Sequence, residues 1–310
     1  MNADILKERQ GWTLNQKIDH SLGVIDQFIS RMDKRVYVAF SGGKDSTVLL
    51  RLCEMLYPDI KAVFCNTGCE YPDIVRFVEE MKIEHNIEVV RPSLTPRKVW
   101  SKYGFPLVSK EVAESVHAIR TNPSSKKARV ALGENRSMFA LNKRWMYLCD
   151  TEYDVSNRCC HILKKLPSHR FQKISGLSPI LGILADESKL REKTYLRRGG
   201  CNHFEGAATS WPLAIWTDEN VWDFVKQYNV KLADIYYKGV KRTGCVACGF
   251  GCQFERDRRL EILYKLYPKY YNMVMNFENN GIKYRDAMRE MLGKCGLVLP
   301  DEDNQLKIFQ

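Results

Sequence analysis

The chain has 310 residues, 45% of them hydrophobic and 27% charged, the balance of a folded globular protein with a sizeable core. No apolar run approaches the roughly 20 residues that a bilayer span needs, so no membrane association is expected. Charges at Asp4, Lys7, Glu8, Arg9, Lys17 and Asp19 leave no apolar leader in the first twenty residues, which points to a reducing, cytoplasmic location. The formal charge of +11 suits a basic soluble protein and equally one that meets polyanions such as nucleotides, DNA or RNA.

In chain order, Val36–Phe40 is a short apolar run of β-formers and predicts a buried strand. It runs into the turn Ser41-Gly42-Gly43 and then a helix from Asp45 to Leu52. Ile60–Cys65 predicts a second strand, Pro72 opens a helix to about Glu84, and Ile87–Val90 predicts a third strand. This alternation implies an α/β fold, a parallel twisted sheet flanked by helices. Residues 121–137 are expected to form a long polar loop. Ile180–Leu184 supplies a later strand, and Thr217 caps a helix from Asp218 to Tyr228. From Lys231 a cysteine and glycine turn leads into basic, aromatic-rich helix. The expected division is a nucleotide-binding domain over 1–230 and a Cys-rich helical module over 231–310.

Ser41-Gly42-Gly43-Lys44-Asp45-Ser46 lies between a strand and a helix N-terminus. Glycines there let backbone N–H groups reach an anion, hydroxyls donate to phosphate oxygens, and a lysine neutralises charge. The spacing is not that of a Walker A loop. This segment resembles the SGGKDS signature of the PP-loop ATP pyrophosphatases, within the adenine nucleotide alpha hydrolase-like fold. The resemblance implies that ATP is adenylating a substrate with release of pyrophosphate. On it, Ser41, Gly42, Gly43 and Ser46 would hold the β,γ-phosphates, Lys44 would offset leaving-group charge, and Asp45 would orient Mg2+. Asn66-Thr67-Gly68 with Glu70-Tyr71-Pro72 resembles the second-strand segment of PAPS reductase-like proteins. Gly182 to Ser188, containing Glu187, and Arg191 resemble that family's G-x-R-x-x-E-S-x-x-R segment, except that Leu184 stands where the arginine belongs. Arg191 is therefore the better phosphate-binding candidate there.

Eleven cysteines in a reducing compartment call for a reason other than disulfides. Cys53, Cys65, Cys69, Cys149 and Cys201 are expected to be small buried hydrophobes. Cys245-x-x-Cys248 between glycines presents two thiolates, for zinc, for iron and sulfur, or as a redox pair. Together with Cys159-Cys160 it resembles the dicysteine pattern of iron–sulfur sulfonucleotide reductases and of the sulfur-activating proteins of DNA phosphorothioation. That resemblance implies a 4Fe-4S cluster on Cys159, Cys160, Cys245 and Cys248, with structural zinc as the alternative and Cys252 a bystander. Lys241-Arg242-Thr243 would hold a phosphate, stabilise the cluster's charge, or form a solvated turn.

Three functions follow. The first is ATP-dependent activation for sulfur transfer, with a cysteine desulfurase or another sulfur donor and an acceptor such as DNA or tRNA. The second is reduction of adenylyl sulfate or its 3′-phosphorylated form. The reductases end in a Glu-Cys-Gly-(Leu or Ile)-His motif, which Lys294-Cys295-Gly296-Leu297-Val298 matches only in part. Cys295 is thus a candidate sulfur carrier or simply a cysteine at a helix end. The third is a non-catalytic nucleic-acid-binding protein using Tyr264, Tyr267, Tyr270 and Tyr271 among Arg256, Arg258, Arg259, Lys265 and Lys269, residues that helix packing explains equally. For nucleic acid as the acceptor, Arg120, Lys126, Lys127, Arg129, Arg136, Lys143 and Arg144 stand against the single acid Glu134 within residues 120–144.

Overall fold

A computed structural model describes residues 2–134, 139–254 and 258–302. Asn135, Arg136 and Arg256 lie outside the described residues. Two compact units emerge, each assembled from separate stretches: Met1–Asn66, Tyr71–Arg91 and Pro167–Thr243 in the first, and Thr67–Glu70, Pro92–Leu166 and Gly244–Gln310 in the second. The boundary expected at residue 230 gives way to this interleaving. Residues 92–166 join the C-terminal stretch because Leu107-Val108 pairs in parallel with Gly249-Phe250. Trp100 also packs on Tyr284 at 4.6 Å between ring centres, and the Tyr153 hydroxyl donates to Glu290 at 2.8 Å.

The first unit carries the sheet. Its strands are β1 (Val36–Phe40), β2 (Ala62–Cys65), β3 (Ile87–Val90), β4 (Ser178–Leu181), β5 (Asn202–His203) and β6 (Thr209–Ser210). Their spatial order is β3-β2-β1-β4-β6-β5, parallel except for the β5–β6 pair. The expected strands at 60–65 and 180–184 shift to 62–65 and 178–181, while Val36–Phe40 and Ile87–Val90 form as read.

Helix Lys44–Leu56 returns from β1 and buries Val48, Leu49 and Leu52 completely. Each such side chain contributes about 1.5–3 kcal/mol through removal of apolar surface from water. Helix Asp218–Gln227 starts at Thr217, whose side chain and that of Asn220 form a reciprocal capping box. The order of the strands matters for function. From β1 the chain moves to β2 and β3 on one side, and β4 then inserts on the other. The carboxyl ends of β1 and β4 therefore flank a topological switch point, where open α/β sheets leave a crevice for ligands.

The second unit is mostly helical. Residues 121–137 are not the continuous loop expected from their polarity: Lys126–Ala131 is a helix. Ser125 caps it by accepting from the Ala128 N–H, and Ala128 and Ala131 are buried beneath it. Further helices span Arg259–Leu266, Pro268–Met275 and Tyr284–Gly293. Tyr271 is fully buried and donates to Asp301 at 2.7 Å, Tyr264 packs edge-on against it, and Tyr270 donates to the Gly68 carbonyl. These three tyrosines are occupied in holding the unit together. Among the described residues no helix is long and apolar enough to cross a membrane.

Candidate functional site

The crevice at the switch point is a cavity of about 420 Å3 within the first unit. Ser41, Gly43, Lys44, Asp45 and Ser46 follow β1 into it, and Gly182 to Leu184 follow β4. The loop is self-supporting. Ser46 Oγ accepts from the Ser41 backbone N–H at 3.1 Å and donates to the Gly43 carbonyl at 2.9 Å, while Ser41 Oγ accepts from the Gly43 N–H at 3.3 Å. Gly42 has φ +71, and a Cβ there would lie 2.8 Å from Ile74 Cγ2 and 3.1 Å from Val78 Cγ2. Only glycine meets both the left-handed backbone and the close approach of helix Pro72–Glu84.

Lys44 is 4% exposed, and its ammonium lies 2.6 Å from Asp45 and 2.5 Å from Asp218. Burial alone would lower its pKa, but the two carboxylates outweigh it and hold the group above its ordinary value. The Lys44 backbone N–H donates to the Tyr236 hydroxyl at 2.8 Å, which lies 3.2 Å from Thr243 Oγ1. Glu187, also lining the cavity, joins Arg191 and Arg242, the latter at 3.0 Å. Burial and the neighbouring Arg242 charge pull Arg191 below its usual pKa. Such a paired, partly desolvated cation gains when an anion arrives.

Of the residues expected at a nucleotide, Ser41, Gly43, Lys44, Asp45, Ser46, Glu187, Arg191, Lys241 and Arg242 share this cavity, with Gly42 beneath the loop. Asn66, Thr67 and Gly68 do not line it. Leu184, which replaces the family's arginine, is a buried part of the wall. Asp218 and Tyr236 escaped the sequence reading. Asp218 was legible only as the first residue of a helix, and Tyr236 follows no motif.

The second unit gathers the cysteines. Cys159 and Cys160 sit on the short helix Arg158–Cys160, which continues into a π-turn over His161–Lys165. The knuckle Cys245–Cys248 is closed by a Cys248 N–H bond to the Cys245 carbonyl at 3.2 Å. Arg259 and Tyr284 hold it by donating to the carbonyls of Cys248 and Ala247. All four thiols lie within electrostatic reach of one another. The Cys159 thiol, buried with hydrogen-bonded Cys160 beside it, is pushed far up. Cys160 is pulled down to about 6 by its hydrogen bond from Cys159 and by Lys110, Lys164 and Lys165. Cys245 is pulled down to about 7 by hydrogen bonding with Cys69 and by Lys164, and burial pushes Cys248 up to about 11. Burial works against the Lys164 charge, but Cys245 and Glu70 keep its pKa high.

Cys69 is thus a fifth member of the group, not the isolated buried hydrophobe expected. The Cys252 thiol donates to the Cys248 carbonyl at 3.3 Å. Cys295 follows helix Tyr284–Gly293, where Arg144 Nη1 lies 3.7 Å from its sulfur. No three His, Cys, Asp or Glu side chains among the described residues converge closely enough for a single metal ion. A four-iron cluster asks for something different, one soft thiolate at each of four separate irons with cations to balance its charge. In donor type and surrounding charge, the group fits that requirement.

A model of the phosphoadenosine phosphosulfate reductase domain matches residues 35–249. An uncharacterised protein of Methanocaldococcus jannaschii is 24% identical over 265 residues, covering 83% of this chain and 52% of its own length. An adenosine 5′-phosphosulfate reductase of Staphylococcus haemolyticus is 24% identical over 223 residues, covering 70% of each. The chain spans about half the length of the first of these relatives. A solved phosphoadenylyl-sulfate reductase from Candida auris, in a phosphate complex, aligns at 12% identity with a TM-score of 0.47, covering 79% of this chain and 96% of the other.

Proposed function

The chain belongs to the phosphoadenosine phosphosulfate reductase domain family, and from that premise we propose that it is an ATP pyrophosphatase, adenylating an acceptor for sulfur transfer. The observation that carries this reading is the complete phosphate loop, with Lys44 held in the cavity between Asp45 and Asp218. Incoming phosphates would take over the Lys44 ammonium and the Ser41 hydroxyl, and would draw the Ser46 hydroxyl and loop N–H groups from their present partners within the site. Arg191 and Lys241 would neutralise the remaining charge. Asp45, Asp186 and Asp218 line the same cavity and offer the hard oxygen ligands that Mg2+ takes. Attack at the α-phosphate would then leave pyrophosphate in the loop.

Cys159, Cys160, Cys245 and Cys248 would hold the 4Fe-4S cluster, with Lys110, Lys164 and Lys165 offsetting its charge. Bound there, it would supply an electron-accepting centre with affinity for sulfur. The acceptor in this reading is a nucleic acid, DNA or tRNA, and the sulfur comes from a desulfurase or a comparable donor.

A second reading, reduction of a sulfonucleotide, is favoured by the reductase relatives, adenosine 5′-phosphosulfate reductases at 20–24% identity. Binding separates the two. With Mg2+, ATP should bind, and Lys44→Ala should weaken its binding or turnover at least about tenfold, or about 1.4 kcal/mol. Pyrophosphate should be released. Adenylyl sulfate binding far more tightly than ATP, with ATP indifferent to Lys44→Ala, would establish the reductase reading instead.

A further inference from the structure

The thiol group in the second unit holds one more cysteine than a four-iron cluster uses. Cys69 stands at the end of Thr67-Gly68-Cys69, a turn fixed from several sides. The Glu70 carboxylate accepts from the Thr67 N–H at 3.1 Å, the Thr67 hydroxyl at 2.6 Å and the Cys69 N–H at 3.2 Å. Tyr270 donates its hydroxyl to the Gly68 carbonyl at 3.0 Å. The decisive bond runs from the Val246 N–H to the Cys69 carbonyl at 2.8 Å, tying this turn to the Cys245–Cys248 knuckle. Cys69 is 6% exposed, and its thiol hydrogen-bonds with that of Cys245.

We propose that Cys69 is a reserve ligand of the iron–sulfur site, able to take the place of Cys245 on the same iron. The backbone bond holds the two main chains side by side, and the thiols meet in the conformation that the structure shows. Exchange would then proceed by side-chain rotation at both residues while the turn and the knuckle stay bonded. The step is a simple ligand substitution: the Cys245–iron bond breaks, the Cys69–iron bond forms, the proton leaving Cys69 passes to Cys245, and no electron is transferred. Cys252 differs from Cys69 in this respect: its thiol donates to the Cys248 carbonyl at 3.3 Å, whereas the Cys69 thiol meets the Cys245 thiol. A cluster held this way would survive transient release of one ligand, or an excursion in which Cys245 is engaged elsewhere.

This inference rests on the reading of the four cysteines as cluster ligands, and the test separates the two. Iron and acid-labile sulfide are counted per chain, with visible absorbance, after anaerobic reconstitution of the full chain and its variants. Wild-type protein without iron would sink the cluster reading itself. If wild type binds about four irons, Cys248→Ser is expected to lose nearly all of them and Cys245→Ser to keep about half or more, with a changed spectrum. The double variant Cys69→Ser, Cys245→Ser should then fall to the Cys248→Ser level. Equal loss in Cys245→Ser and Cys248→Ser, with both folded by circular dichroism, would overturn the proposal. Should Cys245→Ser not fold, the Cys69→Ser variant decides. It is expected to load normally but to lose iron to a chelator several-fold faster than wild type, and an unchanged rate would overturn the proposal.

Discussion

Gly42→Ala should be among the most damaging single-methyl additions in the first unit, and its cost can be divided. The residue has φ +71, a conformation that costs a side-chain-bearing residue about 1–2 kcal/mol. Its new methyl would also lie 2.8 Å from Ile74 Cγ2 and 3.1 Å from Val78 Cγ2. Both neighbours are buried, so neither has room to withdraw, and overpacking of this kind adds about 1–3 kcal/mol. The sum is about 2–5 kcal/mol. Gly199 provides the internal reference: it has φ +79 at the end of helix Lys189–Arg198, with nothing within 4 Å of an added Cβ. Gly199→Ala should therefore cost only the backbone share, about 1–2 kcal/mol. Urea unfolding of wild type and both variants measures the difference directly. If Gly42→Ala is no more destabilised than Gly199→Ala, the contact with helix Pro72–Glu84 does not constrain the loop, and the packing account of this glycine is wrong.

Ser21→Ala should cost about 1–3 kcal/mol in the same assay, because it strips the partner from a buried indole N–H. Trp216 Nε1 donates to Ser21 Oγ at 2.9 Å, and that hydroxyl donates onward to the Pro212 carbonyl. His20 should make stability depend on pH. Burial and the neighbouring Arg9 charge hold its pKa below the ordinary 6.5, so the unfolded chain binds the proton first. Stability should then fall as pH drops through 6.5 and level off below the folded-state pKa, and His20→Asn should flatten this part of the profile. A profile identical to wild type would show that His20 does not contribute. For the nucleic-acid acceptor, binding of DNA or tRNA should weaken steeply with added salt. Lys126→Glu with Lys143→Glu should reduce both affinity and salt slope and leave ATP binding intact. These two are chosen because Lys127 and Arg129 pair with Glu114 and Glu134. Loss of ATP binding alone would instead make the segment part of the nucleotide site.

What the sequence revealed is what short-range pattern can encode. The strand Val36–Phe40, the glycine loop and the following helix adjoin in the chain, so their order announces the strand–turn–helix that lines the cavity. Thr217 announces its helix in the same way, through a cap and its partner three residues on. Asp218 and Tyr236 reach the loop only through the folded sheet, and no local spacing marks them. Cys69 was obscured for a related reason. A cysteine outside any pair carries no signature in the sequence, and the fold brings it to the knuckle through the Val246–Cys69 bond. At 121–137 the polar composition hid a helix, since Ala128 and Ala131 bury too little surface to register as an apolar stripe. The tyrosines at 264–271 show the converse: their basic neighbours suggested a binding face, while Tyr271 is wholly interior.

The interleaving of the two units bears on how the chain is made. On the ribosome, β1, β2 and β3 emerge early, yet β1 takes its second neighbour only when Ser178–Leu181 appears, with Val36 pairing to Ser178. Until then the central strand of the finished sheet is an exposed edge, the kind of surface that recruits foreign strands. Closing so long a loop is entropically slow, and the whole of Pro92–Leu166, which belongs to the other unit, must be synthesised inside it. A nascent chain stalled before residue 178 should therefore be aggregation-prone and depend on a chaperone, and no cut at a single position can release either unit as a continuous fragment.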